Sequence, residues 1–156
     1  MEAIRADILD YSIDGQFDLA ICLGNSFAYF PADKMSEFVM KVQESLKPGS
    51  KFIINTGSLA ESLLPNLEHK DWYEMSGLFF MFENTYLAGD SVLRSDMIFV
   101  KGEKTERKTT FHFVYTLAQV KGMLTSAGFR EIEVFNGLEK AEYKFGDQRA
   151  YIVAGN

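Results

Sequence analysis

The chain has 156 residues, 47% of them hydrophobic and 14% aromatic, so it can bury the core of one domain and is too apolar to be disordered. Its 16 basic and 22 acidic side chains give a net charge of -6, which disfavours binding to a nucleic-acid backbone. The single cysteine, Cys22, excludes a disulfide framework, and residues 1–12 have the pattern of neither a signal peptide nor a membrane helix. We therefore expect a soluble cytoplasmic protein that binds neither nucleic acid nor membranes.

The first half of the chain predicts a strand, a helix and a second strand. Residues 17–23 are apolar on both faces apart from Asp18, which is typical of a strand buried on two sides in a parallel sheet. A helix that Asp33 would cap follows, and Lys47-Pro48-Gly49 would end it before a strand at residues 51–56. This order predicts parallel strands and an α/β fold. The apolar positions of the helix, spaced three, four and seven apart, are Met35, Phe38, Val39, Val42 and Leu46.

The middle of the chain is rich in β-forming residues. Ser58 is expected to cap a short helical stretch that Pro65 interrupts. Three runs at residues 78–87, 92–100 and 108–115, separated by polar turns that contain glycine, then predict an antiparallel meander.

Helical spacing returns near the end of the chain. Thr116 and Gln119 have the spacing of a capping box, and Gly128 would end the helix that they begin. Residues 130–135 and 149–154 predict two final strands.

The loop at residues 23–31 carries the clearest sign of a binding site. Ligands of open α/β sheets bind beyond the carboxyl ends of the strands, where this loop lies. Its small residues permit close approach, and Asn25 and Ser26 can form hydrogen bonds, although an ordinary strand-to-helix turn would use the same residue types. The glycines form neither a Gly-x-Gly-x-x-Gly motif nor a P-loop, so no such phosphate cradle is predicted.

Other chemistry in the sequence has weaker support. Gly24-x-Ser26-x-Ala28 approximates the nucleophile elbow of serine hydrolases, with Asp96 and His112 in hydrolase order, but Pro31 disfavours a helix where the elbow needs one. His69 and His112 lack paired carboxylates, so we predict no metal site. Cys22 is interpreted as a core residue. One aromatic cluster is compatible with either a substrate pocket or core packing, and it contains Trp72, Tyr73, Phe79, Phe80, Met81 and Phe82.

Four segments in chain order resemble the later part of a class I S-adenosylmethionine-dependent methyltransferase: residues 6–8, 17–23, 46–54 and 115–129. Residues 21–28, Ile-Cys-Leu-Gly-Asn-Ser-Phe-Ala, are most similar to the glycine and sarcosine N-methyltransferases, in which this loop borders both the sulfonium donor and the acceptor amine. The resemblance implies an α/β fold: a partial Rossmann-like methyltransferase sheet in a single domain of residues 1–156, with an antiparallel β insertion at residues 78–115.

The resemblance also implies a role for individual residues. Asp7 and Ile8 would contact the adenine of S-adenosylmethionine, Asp7 by accepting from the exocyclic amine. Methyl transfer depends on alignment and desolvation, so no acid or base catalyst is assigned. The expected cofactor-binding residues are Asp7, Ile8, Leu23, Gly24 and Ser26, and the expected substrate-binding residues are Asn25, Tyr29, Asn55 and Trp72.

The first half of the family, with its Gly-rich donor loop and ribose-binding acid, has no counterpart in these 156 residues. The strand at residues 17–23 would then lie at a sheet edge, and open apolar edges recruit partners. We expect the N-terminal segment, a second copy in a homodimer or a separate chain to cover it. Three functions remain open: a truncated methyltransferase acting on a small molecule such as an amine, a non-catalytic remnant used for dimerisation or binding, and a serine hydrolase using Ser26.

Overall fold

A computed structural model describes residues 3–156, which form two four-stranded sheets and three helices. No helix in this range is both long and apolar enough to cross a membrane. The helices are α1 (Ala32–Glu44), α2 (Ala60–Leu63) and α3 (Leu117–Ala127). The strands are β1 (Phe17–Cys22), β2 (Leu46–Thr56), β3 (Lys70–Met75), β4 (Leu78–Leu87), β5 (Val92–Lys101), β6 (Lys104–Phe113), β7 (Glu131–Phe135) and β8 (Ala150–Gly155).

The first sheet has the strand order β1-β2-β8-β7. β1 and β2 are parallel, as the sequence predicts, while β8 is antiparallel to both β2 and β7. Thr56 at the end of β2 pairs with Ala150 at the start of β8. The carboxyl ends of the two parallel strands and the beginning of β8 therefore lie at the same end of the sheet, called here the carboxyl end.

The core lies between this sheet and the two longer helices. Val39 of α1 and Val120 of α3 are fully buried with Ile54 of β2, in one continuous apolar cluster. Phe52 and Phe129 pack within the same cluster, with 6.0 Å between their ring centroids. This cluster fixes the position of β2 and therefore that of the carboxyl end of the sheet.

β1 is less buried than its apolar sequence predicts. Leu19 and Ile21 are 51% and 62% exposed, because they lie on the face of β1 opposite Ala20 and Cys22, which pack against the core. The prediction of burial on both faces was wrong for these residues, and residues 3–16 form no strand that covers the edge. Cys22 packs against the core as expected, and burial raises the pKa of its thiol to about 11.

The boundaries of α1 and β2 differ from the prediction. Pro31 is the N-cap, with φ preset at -64°, and the predicted cap Asp33 lies inside the first turn without a capping hydrogen bond. α1 ends at Glu44, so Leu46 belongs to β2 rather than to the helix. The Pro48-Gly49 pair, expected to be a turn before the strand, lies inside β2, where the register with β1 shifts.

α2 is also capped differently from the prediction. Its N-cap is Leu59 rather than Ser58, and no side chain caps it. The backbone N–H of Ser58 instead donates to Thr56 Oγ1 at 3.0 Å. Ser58 was therefore wrong as the cap, although the short helix does precede Pro65.

The second sheet is a meander with the strand order β3-β4-β5-β6, antiparallel throughout. The meander was predicted, but β3 was not, because its sequence, Lys-Asp-Trp-Tyr-Glu-Met, has no alternation of apolar and polar residues and all six are exposed. β6 begins at Lys104 rather than at residue 108, since the turn before it contains only Gly102 and Glu103. β7 and β8 begin within one residue of their predicted positions.

α3 has the predicted cap at each end. Thr116 Oγ1 accepts from the N–H of Gln119 at 3.2 Å, and Gln119 Oε1 accepts from the N–H of Thr116 at 2.8 Å. Gly128 ends the helix with φ at 111°. We expect Thr116→Ala to lower the free energy of unfolding by about 1 kcal/mol, measured by urea denaturation. Ser126→Ala, at an exposed position of α3, is the control, and an equal loss in both variants would contradict the capping role.

Candidate functional site

The loop after β1 has an unusual backbone. Gly24, Asn25 and Ala28 have φ values of 68°, 63° and 85°, in the left-handed region that alanine rarely adopts. Ser26 Oγ donates to the carbonyl of Leu23 at 2.8 Å, and the carbonyl of Ala28 accepts from the N–H of Phe113 at 3.0 Å. Residues held in such conformations by surrounding contacts are concentrated at functional sites. The loop therefore presents its side chains in a fixed arrangement.

Arg149, immediately before β8, joins the ends of the two parallel strands. Its Nε and Nη2 donate to Asn55 Oδ1 at 3.2 and 2.9 Å, and Nη2 also donates to Asn25 Oδ1 at 3.2 Å. Asn25 Oδ1 accepts a further bond from the N–H of Gly57 at 2.7 Å. Three side chains from separate segments thus form one network at the carboxyl end of the sheet.

Asn55 leaves a buried donor in this network. Arg149 donates to its Oδ1, so the amide nitrogen Nδ2 must point the other way. Nδ2 is buried and forms no hydrogen bond with residues 3–156. An unsatisfied buried donor costs about 1–3 kcal/mol, and groups of this kind are rare in folded proteins.

Two cavities share the loop as part of their walls. The first, of about 400 Å³, is largely apolar and is lined by Leu23, Ser26 and side chains of β1 and α1. The second, of about 490 Å³, is more polar and is lined by Asn25, Arg149 and residues beyond β2. The consecutive residues Asn25 and Ser26 therefore line different cavities.

The structure brings together three of the five residues predicted to bind the cofactor. Ile8, Leu23 and Ser26 line the first cavity, and Gly24 lies in the loop beside them. Asp7 is exposed outside that lining, and its Oδ1 accepts from the N–H of Leu9 at 2.9 Å. Its carboxylate therefore stabilises a local turn.

The predicted substrate-binding residues are divided between three places. Asn25 and Asn55 meet through Arg149, whereas Tyr29 lines the first cavity with its ring 4.7 Å from that of His112. Trp72 is 60% exposed and lines a separate open cavity of about 660 Å³ on the second sheet.

Trp72 lies on the face of the second sheet that points away from Asn25. Met81, its partner on β4, is three residues from Asn84, and side chains alternate between the faces of a strand. Asn84 lines the Asn25 cavity, so Trp72 faces the other side. Trp72, Met81 and Phe82 of the aromatic cluster line this open cavity, and none of the six cluster residues is fully buried. The structure separates Trp72 from the other predicted substrate-binding residues.

The serine hydrolase arrangement is absent from residues 3–156. The Ser26 hydroxyl donates to the Leu23 carbonyl, and the helix begins only at Ala32. Asp96 Oδ1 accepts from Thr109 Oγ1 at 2.6 Å, and Thr109 is three residues from His112 on β6. Asp96 and His112 therefore lie on opposite faces of the sheet. Burial lowers the pKa of His112, and no carboxylate of residues 3–156 forms a hydrogen bond or ion pair with its ring.

Arg149 and Gly57 were not identified from the sequence. Arg149 can be placed at the site only once β8 is known to begin at the end of the sheet where β1 and β2 finish. A Cβ at Gly57 would lie 2.8 Å from the carbonyl oxygen of Gln148, so only glycine allows this close approach. The sequence signal available for Gly57 was its position directly after a predicted strand.

No protein-family model and no curated protein matches the chain. Solved structures match closely. A S-adenosylmethionine-dependent methyltransferase from Clostridium acetobutylicum superposes with a TM-score of 0.83 at 18% identity, covering 96% of this chain and 62% of that chain. The chain has a methyltransferase fold.

Two further structures with this methyltransferase fold are described as methyltransferases that act on sugars. CalS10, an amino pentose methyltransferase from Micromonospora echinaspora solved with its donor bound, matches with a TM-score of 0.72 and 13% identity, covering 97% of this chain and 63% of that one. The sugar N-methyltransferase KedS8 from a Streptoalloteichus species matches with a TM-score of 0.73 and 16% identity, covering 97% and 60%. The chain thus spans about three fifths of the length of these structures.

Proposed function

We propose that this chain is part of a S-adenosylmethionine-dependent methyltransferase that N-methylates a small-molecule amine. The observation that carries the proposal is the loop after β1, which places Ser26 in an apolar cavity and the adjacent Asn25 in a polar one. Methyl transfer requires two ligands side by side, and these cavities share a wall. The descriptions of CalS10 and KedS8 favour an amine on a small molecule as the acceptor.

The apolar cavity suits S-adenosylmethionine in part. This donor supplies a methyl group on a positively charged sulfur. Ile8 and Leu23 offer apolar surface to its adenine and methionine portions. Residues 3–156 contain no Gly-rich loop beside β1 for the carboxypropyl arm, so the donor site is half complete.

The polar cavity suits the acceptor. Asn25 Nδ2 remains available to orient it, because Oδ1 is occupied by Arg149 and Gly57. Asn84 and Leu93 of the second sheet line the same cavity, so we propose that this sheet is an insertion within a single domain that shapes the acceptor site. Alignment of the amine with the sulfonium would supply most of the rate enhancement.

The free edge of β1 is proposed to be covered by a second copy of the chain or by a separate chain. Leu19 and Ile21 expose apolar side chains on the face beside this edge, and open apolar edges pair with other strands. Such a partner would also complete the donor site. The second candidate function, a non-catalytic remnant used for dimerisation or binding, is favoured only by the lack of a Gly-rich loop within residues 3–156.

Calorimetric titration of the chain with S-adenosylmethionine tests the proposed donor site. We expect saturable heat. Leu23→Asp should weaken binding about tenfold or more, because it places a carboxylate in the apolar cavity. Asn25→Ala should leave donor affinity nearly unchanged while lowering methyl transfer.

Leu138→Asp, at an exposed position, is the matched control for the added charge. Absence of heat and of any thermal shift at millimolar donor would contradict the donor site and favour the remnant. Loss of donor affinity in Asn25→Ala would contradict the division of the two ligands between the cavities.

A further inference from the structure

The polar cavity contains a guanidinium, that of Arg149, which forms no salt bridge with a carboxylate of residues 3–156. Arg149 has no Asp or Glu oxygen within 4.0 Å among residues 3–156. Its Nε and Nη2 bind the neutral amide oxygens of Asn25 and Asn55, and Nη1 has no partner in the described part of the chain. A guanidinium has five N–H donors in a fixed fork, so two remain free.

Hydrogen-bond donors exceed acceptors at this end of the cavity. The Oδ1 atom of Asn25 is occupied, which leaves Asn25 Nδ2 and Arg149 Nη1 as side-chain donors of the lining without partners among residues 3–156. A ligand that satisfies this set must supply acceptor oxygens.

Two other polar residues of the lining, Asn66 and Asn84, already have hydrogen-bond partners. Asn66 Nδ2 donates to the carbonyls of Ser62 and Gly146, at 2.8 and 3.0 Å. Asn84 donates to the carbonyl of Glu68 and accepts from Ser95. Glu68 is the acidic residue of the lining, and its Oε2 accepts from Tyr73. A negatively charged group is therefore favoured at the Arg149 end and disfavoured near Glu68.

We propose that the methyl acceptor carries an anionic oxygen group, a carboxylate or a phosphate, and that Arg149 Nη1 binds this group. Pairing would neutralise a half-buried guanidinium that otherwise has only amide partners. The inference rests on the proposed function, because it assigns this cavity to the acceptor. Arg149 would select acceptors and position them, while Asn25 and Asn55 hold its side chain in place.

The test is an NMR titration of the full chain labelled with ¹⁵N, without any methyl donor. Acetate and methyl phosphate are the two anionic probes, and acetamide is the uncharged probe of similar shape. We expect one of the anions to shift the Arg149 Nε–H and Asn55 side-chain amide signals saturably at constant ionic strength. The stronger of the two would identify carboxylate or phosphate as the preferred group. Acetamide should cause no saturable shift.

Arg149→Gln should lower the anion affinity about tenfold or more, as expected for a hydrogen bond to a charged group. Arg107→Gln, which removes one positive charge on β6, is the matched control and should bind as the original chain does. Equal responses to acetate and acetamide, or no saturable response to either anion, would overturn the proposal even if Arg149→Gln failed to fold. Failure of the donor titration alone would refute the donor site and leave the anion result standing.

Discussion

Phe52→Ala is expected to lower the free energy of unfolding by about 3–5 kcal/mol, the largest loss among the substitutions considered. Phe52 lies on β2 and is 1% exposed. Its ring packs against those of Phe129 and Phe38, at centroid distances of 6.0 and 6.3 Å. Truncation would leave a cavity beneath β2, the strand that carries Asn55. Urea denaturation followed by circular dichroism measures the change.

Phe145→Ala is the matched control, because this phenylalanine is 76% exposed. Its effect should remain within about 0.5 kcal/mol. If both variants showed the same small loss, β2 would not be anchored in the core as described, and the position of the site would be unsupported.

Gly57→Ala is expected to destabilise the chain by about 1–3 kcal/mol, the usual cost of overpacking. The new Cβ would lie 2.8 Å from the carbonyl oxygen of Gln148, a backbone atom that a side-chain rotation cannot move. The start of β8 must therefore shift, and Arg149 follows directly after Gln148. We expect a changed NMR signal for the Arg149 Nε–H together with a lower urea midpoint.

Gly89→Ala is the control for this prediction. A Cβ at Gly89 meets nothing within 4 Å, so its effect should be a few tenths of a kcal/mol, of either sign. A Gly57→Ala chain as stable as this control, with an unchanged Arg149 signal, would show that the close approach does not constrain the network.

Much of the fold could be predicted because its signals are local. The cap of α3 at Thr116 and its end at Gly128 depend on neighbours three or four residues away, and both predictions were confirmed. The parallel pairing of β1 with β2 followed from one helix between two apolar runs. The methyltransferase resemblance was also confirmed at the level of the fold.

The errors arose where partners distant in sequence decide the conformation. Pro48-Gly49 has the composition of a turn, but pairing of Leu46 with Phe17 extends β2 through it. β3 has no apolar face, and only its pairing with β4 makes it a strand. The apolar pattern of β1 could not reveal that just one strand pairs with it among the described residues.

The site was predictable in part for the same reason. Asn25 and Ser26 follow an apolar strand, so their position at the carboxyl end of the sheet could be inferred. Arg149 could not, because its place depends on the direction of β8. Trp72 was grouped with neighbouring aromatic residues, although the alternation of side chains puts it on the opposite face from Asn84.

Hydrogen exchange with and without S-adenosylhomocysteine, the product form of the donor, tests most directly whether the loop after β1 holds the donor. We expect slower exchange at residues 20–30, around the apolar cavity, and no change at residues 70–113 of the second sheet. Protection confined to the second sheet, or no protection at millimolar ligand in either region, would contradict this account.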